Sequence, residues 1–466
     1  MRARTSGAGR VTSASMTPVA RSLVRGIGRW DLVAILINVV IGAGIMGLPA
    51  KSFALIGSYS IVAWVVCALI MGVVAACFAE VGSRFAQTGG PYLYAHAAFG
   101  PAVGFLVGWL AWISRLFSFA TIANLAVTYL GGAVPALMSG PTRATAIALA
   151  TAVLTTLVLT GVRRSAHVNN ALTACKLLVL VGFTIVCLPF VDSASLVPSG
   201  TTSVADWQAA IMLMTFAFLG IESAMITAGE MKNPRADVPF GLGAALIVIA
   251  LLYIAIQVVC IGTVPDLASS QRPLVDAATR TVGPVGAYLV SAGALVTMLG
   301  SMFAIMLTGS RLPFAFAEQG QLPRVLCSIH ERFRTPHVAI LVTGLCAGVL
   351  AIYCSFMGAL VVSALTRLVG YVTTCAALVV LRSRDAGVGQ PGFRVPAGPL
   401  VAATGVGACM WLMLGSSSQE LLSLAAVTLT GAVAGGGYIL FRRRNRLPSP
   451  VGEPQPRTRG ADGATG

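Results

Sequence analysis

Charge is what this chain has least of. Only 10% of its 466 residues are charged, and 15 acidic residues face 31 lysines and arginines. With 56% hydrophobic residues and a mean hydropathy of +0.86, that scarcity excludes an ordinary soluble domain, in which roughly a quarter of residues are charged. No H-E-x-x-H, P-loop or G-x-S-x-G occurs, so a membrane protease, an ATPase and a lipase each lack a catalytic centre. Ten cysteines are present without one C-x-x-C; nine lie in apolar stretches and Cys327 in a loop. They are expected to be reduced thiols acting as small apolar residues. The G-x-G-x-x-G at Gly387 to Gly392 lies in a polar loop after an apolar span and contains Pro391. It lacks the strand-turn-helix context of a nucleotide site. No cofactor or metal is expected.

Apolar runs of about 20 residues, the length that crosses a bilayer, are abundant. They fall near 31–56, 59–83, 101–131, 144–162, 170–191, 207–230, 239–264, 284–311, 338–356, 359–381, 399–416 and 420–441. About twelve spans imply an all-α polytopic membrane protein. Residues 1–25, scattered with Arg, Ser and Thr, have neither the apolar core nor the cleavage site of a signal peptide and read as a tail. With both ends in the cytoplasm, the connections on that side carry twelve lysines and arginines and the opposite ones four, as the positive-inside rule requires. The net charge of +16 then reflects topology and contact with an anionic leaflet. Arg442, Arg443, Arg444 and Arg446 read as a juxtamembrane anchor in the lipid surface, with no nucleic acid as partner.

The first span contains "NVVIGAGIMGLPAKSF", with Gly42, Gly44 and Gly47 followed by Pro49. Glycines at mid-membrane mean either close helix packing or an unwound segment lining a cavity. The sixth span, "WQAAIMLMTFAFLGIESAMITAGE", places Gly220 beside an acid, Glu222. A charge at that depth costs about 2.5 kcal/mol or more, and such acids face a cavity or a partner. Interruptions in spans one and six are the pattern by which inverted-repeat transporters bind solutes at the midplane. Together the two stretches favour unwinding.

Several separated stretches carry a family resemblance from about Gly28 to Arg384. They are "IGAGIMGLPA", "FAEVGSRFAQTGGPYLYAHAAFG", "FAFLGIESA" followed by "GEMKNPRADVP", and "GSRLPFAFAEQGQLP". In this order they resemble the amino acid, polyamine and organocation permeases, with the leucine-transporter fold. The resemblance implies a 5+5 inverted repeat plus two peripheral helices. Its parts are a cytoplasmic tail over 1–30, one five-helix repeat over 31–195 broken near 42–45, a second over 207–383 broken near 218–222, two further spans over 395–441, and a cytoplasmic tail over 442–466. It also implies a multi-pass protein of the cell membrane.

Carried over by the resemblance, the backbone of Gly42, Ala43 and Gly44 holds a substrate α-carboxylate, since amides at an unwound helix start supply positive potential. The carbonyls of Val40, Phe216 and Leu219, beside Gly220, accept the α-ammonium, and the Phe216 ring covers the substrate. Phe218 reads as core filling. Many relatives carry Ser where this chain has Ala43, so a hydroxyl contact is missing. Lys176, in "NNALTACKLLVLVGF", resembles a lysine that takes the place of a sodium ion in sodium-independent members; its alternative is a charged strut or a snorkelling side chain. Glu222 has three readings: proton carrier or pH-sensitive gate, structural acid bonded to span ten, or partner of a cationic substrate. Arg115 and Arg367 are expected to pair with acids or carbonyls in the bundle.

The expected activity is sodium-independent secondary transport of an amino acid or related amine, by proton symport or exchange. The alternative is a solute sensor on a transporter scaffold, against which the short tails count. A membrane enzyme is disfavoured by the lack of a nucleophile, base or metal-ligand cluster.

Overall fold

The computed structural model of the chain describes residues 26–444 except 86, 88, 132–133, 138–139, 161, 227 and 385–389. Both tails and the start of the Gly387–Gly392 run lie outside the described residues, as does the side chain of Ala43. Helices make up the architecture: α1 (Arg29–Val40), α2 (Ala43–Ile56), α3 (Ser60–Gly82), α4 (Pro91–Phe99), α5 (Pro101–Gly131), α6 (Gly140–Leu159), α7 (Val162–Cys187), α8 (Val204–Phe218) and α9 (Ser223–Ile226). There follow α10 (Pro234–Thr263), α11 (Pro273–Val282), α12 (Pro284–Gly309), α13 (Arg311–Glu318), α14 (His337–Tyr353), α15 (Phe356–Ser383), α16 (Gly398–Leu414) and α17 (Ser418–Arg444). Among the described residues, eight helical stretches are long and apolar enough to cross a membrane, and α8, α14 and α16 are shorter apolar helices. Helix is the answer to hydrocarbon because each spanning segment then satisfies its own backbone.

Local chemistry sets the helix ends. Proline, which has no N–H to lose, opens α4, α10, α11 and α12. At α8 the Ser203 hydroxyl accepts from the Asp206 N–H at 3.1 Å while the Asp206 carboxylate accepts from the Ser203 N–H at 2.9 Å, a reciprocal cap. Gly28 precedes α1, and its N–H donates to Asp31 at 2.9 Å.

Burial separates inner helices from outer ones. About two thirds of the apolar windows of α5 and α15 are buried, against 11% for α17, so α5 and α15 form the spine and α17 the rim. Leu178, Ile185, Leu251, Leu345 and Leu422 stand at least 65% exposed around the outside. An apolar belt of that extent is covered by lipid in a membrane protein. At the centre, α2 lies along α8, while α1 packs against α7, α10 and α12. The interruptions of the first and sixth spans are thereby brought side by side.

Candidate functional site

The first interruption is short. α1 ends at Val40, Ile41 is extended (φ −73°, ψ 99°), and α2 is already helical from Ala43. The break thus falls at Ile41 and Gly42, slightly before the expected 42–45. Gly42 is the residue preceding α2, and Ala43 and Gly44 form its first turn, where N–H groups have no acceptor within the helix. Gly44 also answers a packing need. A Cβ on it would stand 2.7 Å from both Cα and Cβ of Ala217, so only glycine lets α2 approach α8 this closely. Close packing and interruption therefore coexist in one stretch.

In the sixth span α8 ends at Phe218, Leu219 turns extended, and Gly220 adopts φ +116° before α9 begins. That conformation is strained for other residues, and a Cβ there would also lie 2.7 Å from Cγ1 of Val39. The Tyr253 hydroxyl, from α10, stands 3.2 Å from the Val40 carbonyl and 3.0 Å from that of Ala217. One side chain thus bridges the two interruptions. The Phe216 carbonyl accepts the Leu219 N–H at 3.2 Å, so the carbonyls of Val40 and Phe216 each keep one lone pair for a ligand. Phe218 is fully buried against Trp64 and Tyr253, a core position.

Between the interruptions lies a narrow cavity lined by Val39, Val40, Gly42, Gly44, Ser118, Ile122, Phe216, Leu219, Ile305 and Arg367. Among its lining side chains only those of Ser118 and Arg367 are polar, and the backbone of the two interruptions supplies the rest of the polar surface. Gly220, Glu222 and Lys176 stand behind this lining.

Behind one wall is a charged cluster. Glu222, 2% exposed, lies 3.2 Å from Arg115 Nη1 and 3.3 Å from Arg367 Nη1, and accepts from the Tyr371 hydroxyl at 2.8 Å and the Gly220 N–H at 3.2 Å. Arg115, Tyr371 and Gly220 donate and Arg367 adds an ion pair, which is the environment of a carboxylate. Arg367 also donates to Ser114 Oγ at 2.6 Å and Ser118 Oγ at 2.9 Å, and Arg115 to Ser223 Oγ at 2.8 Å. Buried charges in such a place must be paired, and two cations here share one acid.

Behind the opposite wall lies Lys176, fully buried on α7. Its ammonium donates to the Asn38 carbonyl and to Ser301 Oγ, both at 2.9 Å, and to the Ile41 carbonyl. Carbonyls of an interrupted helix, with a hydroxyl beside them, are ligands that suit a monovalent cation; here an ammonium occupies them. The Asn38 side chain ties the same turn to Asn169 Oδ1 at 2.8 Å and to the Gly300 carbonyl at 3.2 Å.

A family model described as amino acid permease matches residues 27–433. The chain belongs to this family. A methylthioribose transporter of Bacillus subtilis is 27% identical over 92% of this chain and 95% of its own length. A branched-chain amino acid permease of the same organism is 26% identical over 91% and 94%. A vacuolar cationic amino acid transporter of Arabidopsis thaliana is 27% identical over 74% of this chain and 57% of its own length. The chain is therefore a multi-pass membrane permease and not an enzyme.

Of the residues singled out from the sequence, Val40, Gly42, Gly44, Phe216 and Leu219 line the permease's cavity. Ser118, Ile122 and Ile305 line it too, yet in sequence they are ordinary residues of apolar spans. Arg115 and Arg367, expected to pair with acids or carbonyls in the bundle, both pair with Glu222. The bridging Tyr253 and the Ser301 beside Lys176 had no signal beyond being polar groups in apolar runs.

Proposed function

We propose that this permease is a sodium-independent secondary transporter that carries an amino acid or related amine through alternating access. Its substrate sits in the cavity between the two interruptions. The α-carboxylate lies against the amides of Gly42, Ala43 and Gly44, where the dipole of α2 favours negative charge. The α-ammonium lies against the carbonyls of Val40, Phe216 and Leu219 near Gly220, and the Phe216 ring closes over it. The observation that carries the reading is the Lys176 ammonium on the Asn38 and Ile41 carbonyls: it occupies a cation site at the first interruption. Loss and regain of the Lys176 proton couples the substrate to a proton gradient, by symport or by exchange. Glu222, held by two guanidiniums, is the anchor of the charged cluster rather than the partner of a cationic substrate. Both termini face the cytoplasm across the cell membrane, and residues 31–195 and 207–383 form two inverted five-helix repeats.

The test is uptake of labelled amino acids into proteoliposomes holding the purified full-length chain, with sodium replaced by choline and with or without an inward proton gradient. Uptake in choline that rises with the gradient is expected. An absolute requirement for sodium would overturn the reading at Lys176, and absence of uptake for every amino acid would overturn it altogether.

A further inference from the structure

Among the described residues, the cavity wall carries a positive charge without a counter-charge. Arginine keeps its proton in proteins, so Arg115, Arg367 and the Glu222 carboxylate together leave one positive charge. Arg367, 4% exposed, is the member of this cluster that lines the cavity. Among the described residues, Arg367 donates to Ser114 and Ser118 and forms an ion pair with Glu222, which leaves at least two of the five N–H groups in its fork without a protein acceptor. Among the described residues, no acidic side chain lines the cavity. The remaining lining is aliphatic or aromatic apart from Ser118, whose hydroxyl oxygen already accepts from Arg367 and lies 2.6 Å from Ser363 Oγ.

A buried guanidinium with free donors in an apolar wall is costly until an acceptor arrives. A zwitterionic head group held by the two interruptions brings no net charge, so it cannot balance the cluster. We infer that the substrate's side chain supplies the missing charge: the cavity takes an acidic amino acid whose side-chain carboxylate pairs with Arg367. This rests on the amino acid transport proposed above and names the substrate class for that same cavity. A carboxylate matches the planar fork of arginine in geometry as well as in charge. A cationic side chain meets an unneutralised guanidinium of its own sign. A neutral aliphatic one leaves the donors unpaired, the condition that gives polar sites their strongest discrimination.

The experiment is counterflow in proteoliposomes with the full-length protein, using labelled L-glutamate and, separately, labelled L-leucine. L-Glutamate counterflow is expected, suppressed by excess L-glutamate or L-aspartate and unaffected by L-lysine or L-arginine at the same concentration. Arg367→Gln is expected to weaken glutamate by about tenfold or more in apparent affinity while changing L-glutamine much less, a split that a merely structural role for Arg367 does not produce. Leucine counterflow that acidic amino acids fail to inhibit, or inhibition by lysine equal to that by glutamate, would overturn the inference and leave amino acid transport standing. Failure of counterflow with every amino acid would sink both. The wild-type competition series decides the matter even where Arg367→Gln does not reach the membrane.

Discussion

Replacing Lys176 by methionine keeps the length of an unbranched apolar side chain and removes three donors. Two buried carbonyls, those of Asn38 and Ile41, then depend on one hydroxyl hydrogen, because Ser301 Oγ lies 3.0 Å from the first and 2.7 Å from the second. At least one carbonyl is left without a donor in a site closed to solvent. An orphaned buried acceptor costs about 1–3 kcal/mol. The loss is local to the first interruption, so helix packing elsewhere should persist. A sodium ion is the small cation best able to return to those oxygens. Thermal unfolding of the purified variant should therefore begin lower than in wild type when the salt is choline chloride, and sodium chloride at equal ionic strength should restore part of the difference. In wild type the two salts should give the same curve, since the ammonium already fills the position. Proton-driven uptake should be lost in Lys176→Met. If the variant unfolds within about 0.5 kcal/mol of wild type, the scatter of an ordinary surface change, and still transports, then Lys176 neither supports the interrupted helix nor carries the coupling.

Gly44→Ala forces apart helices whose atoms already stand 2.7 Å from the new Cβ, so it should destabilise the protein by about 1–3 kcal/mol, and Gly44→Leu should insert in the membrane yet abolish uptake; normal transport by the leucine variant removes the α2 start from the binding site. Tyr253→Phe deletes the hydroxyl that reaches both Val40 and Ala217 carbonyls, at a cost of about 1–3 kcal/mol, and substrate-induced thermal stabilisation should shrink; a variant with wild-type stability and wild-type ligand shift argues against a bridge between the two interruptions. Glu222→Gln leaves Arg115 and Arg367 facing each other without a counter-charge and should cost about 3–5 kcal/mol, with uptake lost at every pH between 5 and 8; a stable variant whose uptake merely loses its pH dependence would make Glu222 a proton carrier instead.

Much of this permease is written along its chain. The apolar runs identify it as a polytopic membrane protein because hydrocarbon accepts no unpaired backbone, and length and hydropathy are then enough to locate a span. The interruptions announce themselves the same way: Gly42 and Gly44 in the first span, and Gly220 beside Glu222 in the sixth, are residue types that uniform lipid-facing helix has no reason to carry. What sequence could not assign is partnership. Glu222 read first as proton carrier or pH-sensitive gate, then as structural acid or partner of a cationic substrate, because those roles differ only in what stands opposite. Residues from α5 and α15, more than a hundred positions away on either side, supply Arg115, Arg367 and Tyr371 and make it a shared counter-ion. The same holds for Gly44, whose need for glycine comes from Ala217 on another helix, and for Lys176, whose ammonium finds carbonyls at the end of α1 and in the interruption after it, and a hydroxyl on α12. Hydropathy acts residue by residue along the chain and so is legible there. Charge pairing and close packing act between segments remote in sequence, and only the folded bundle fixes which of them meet.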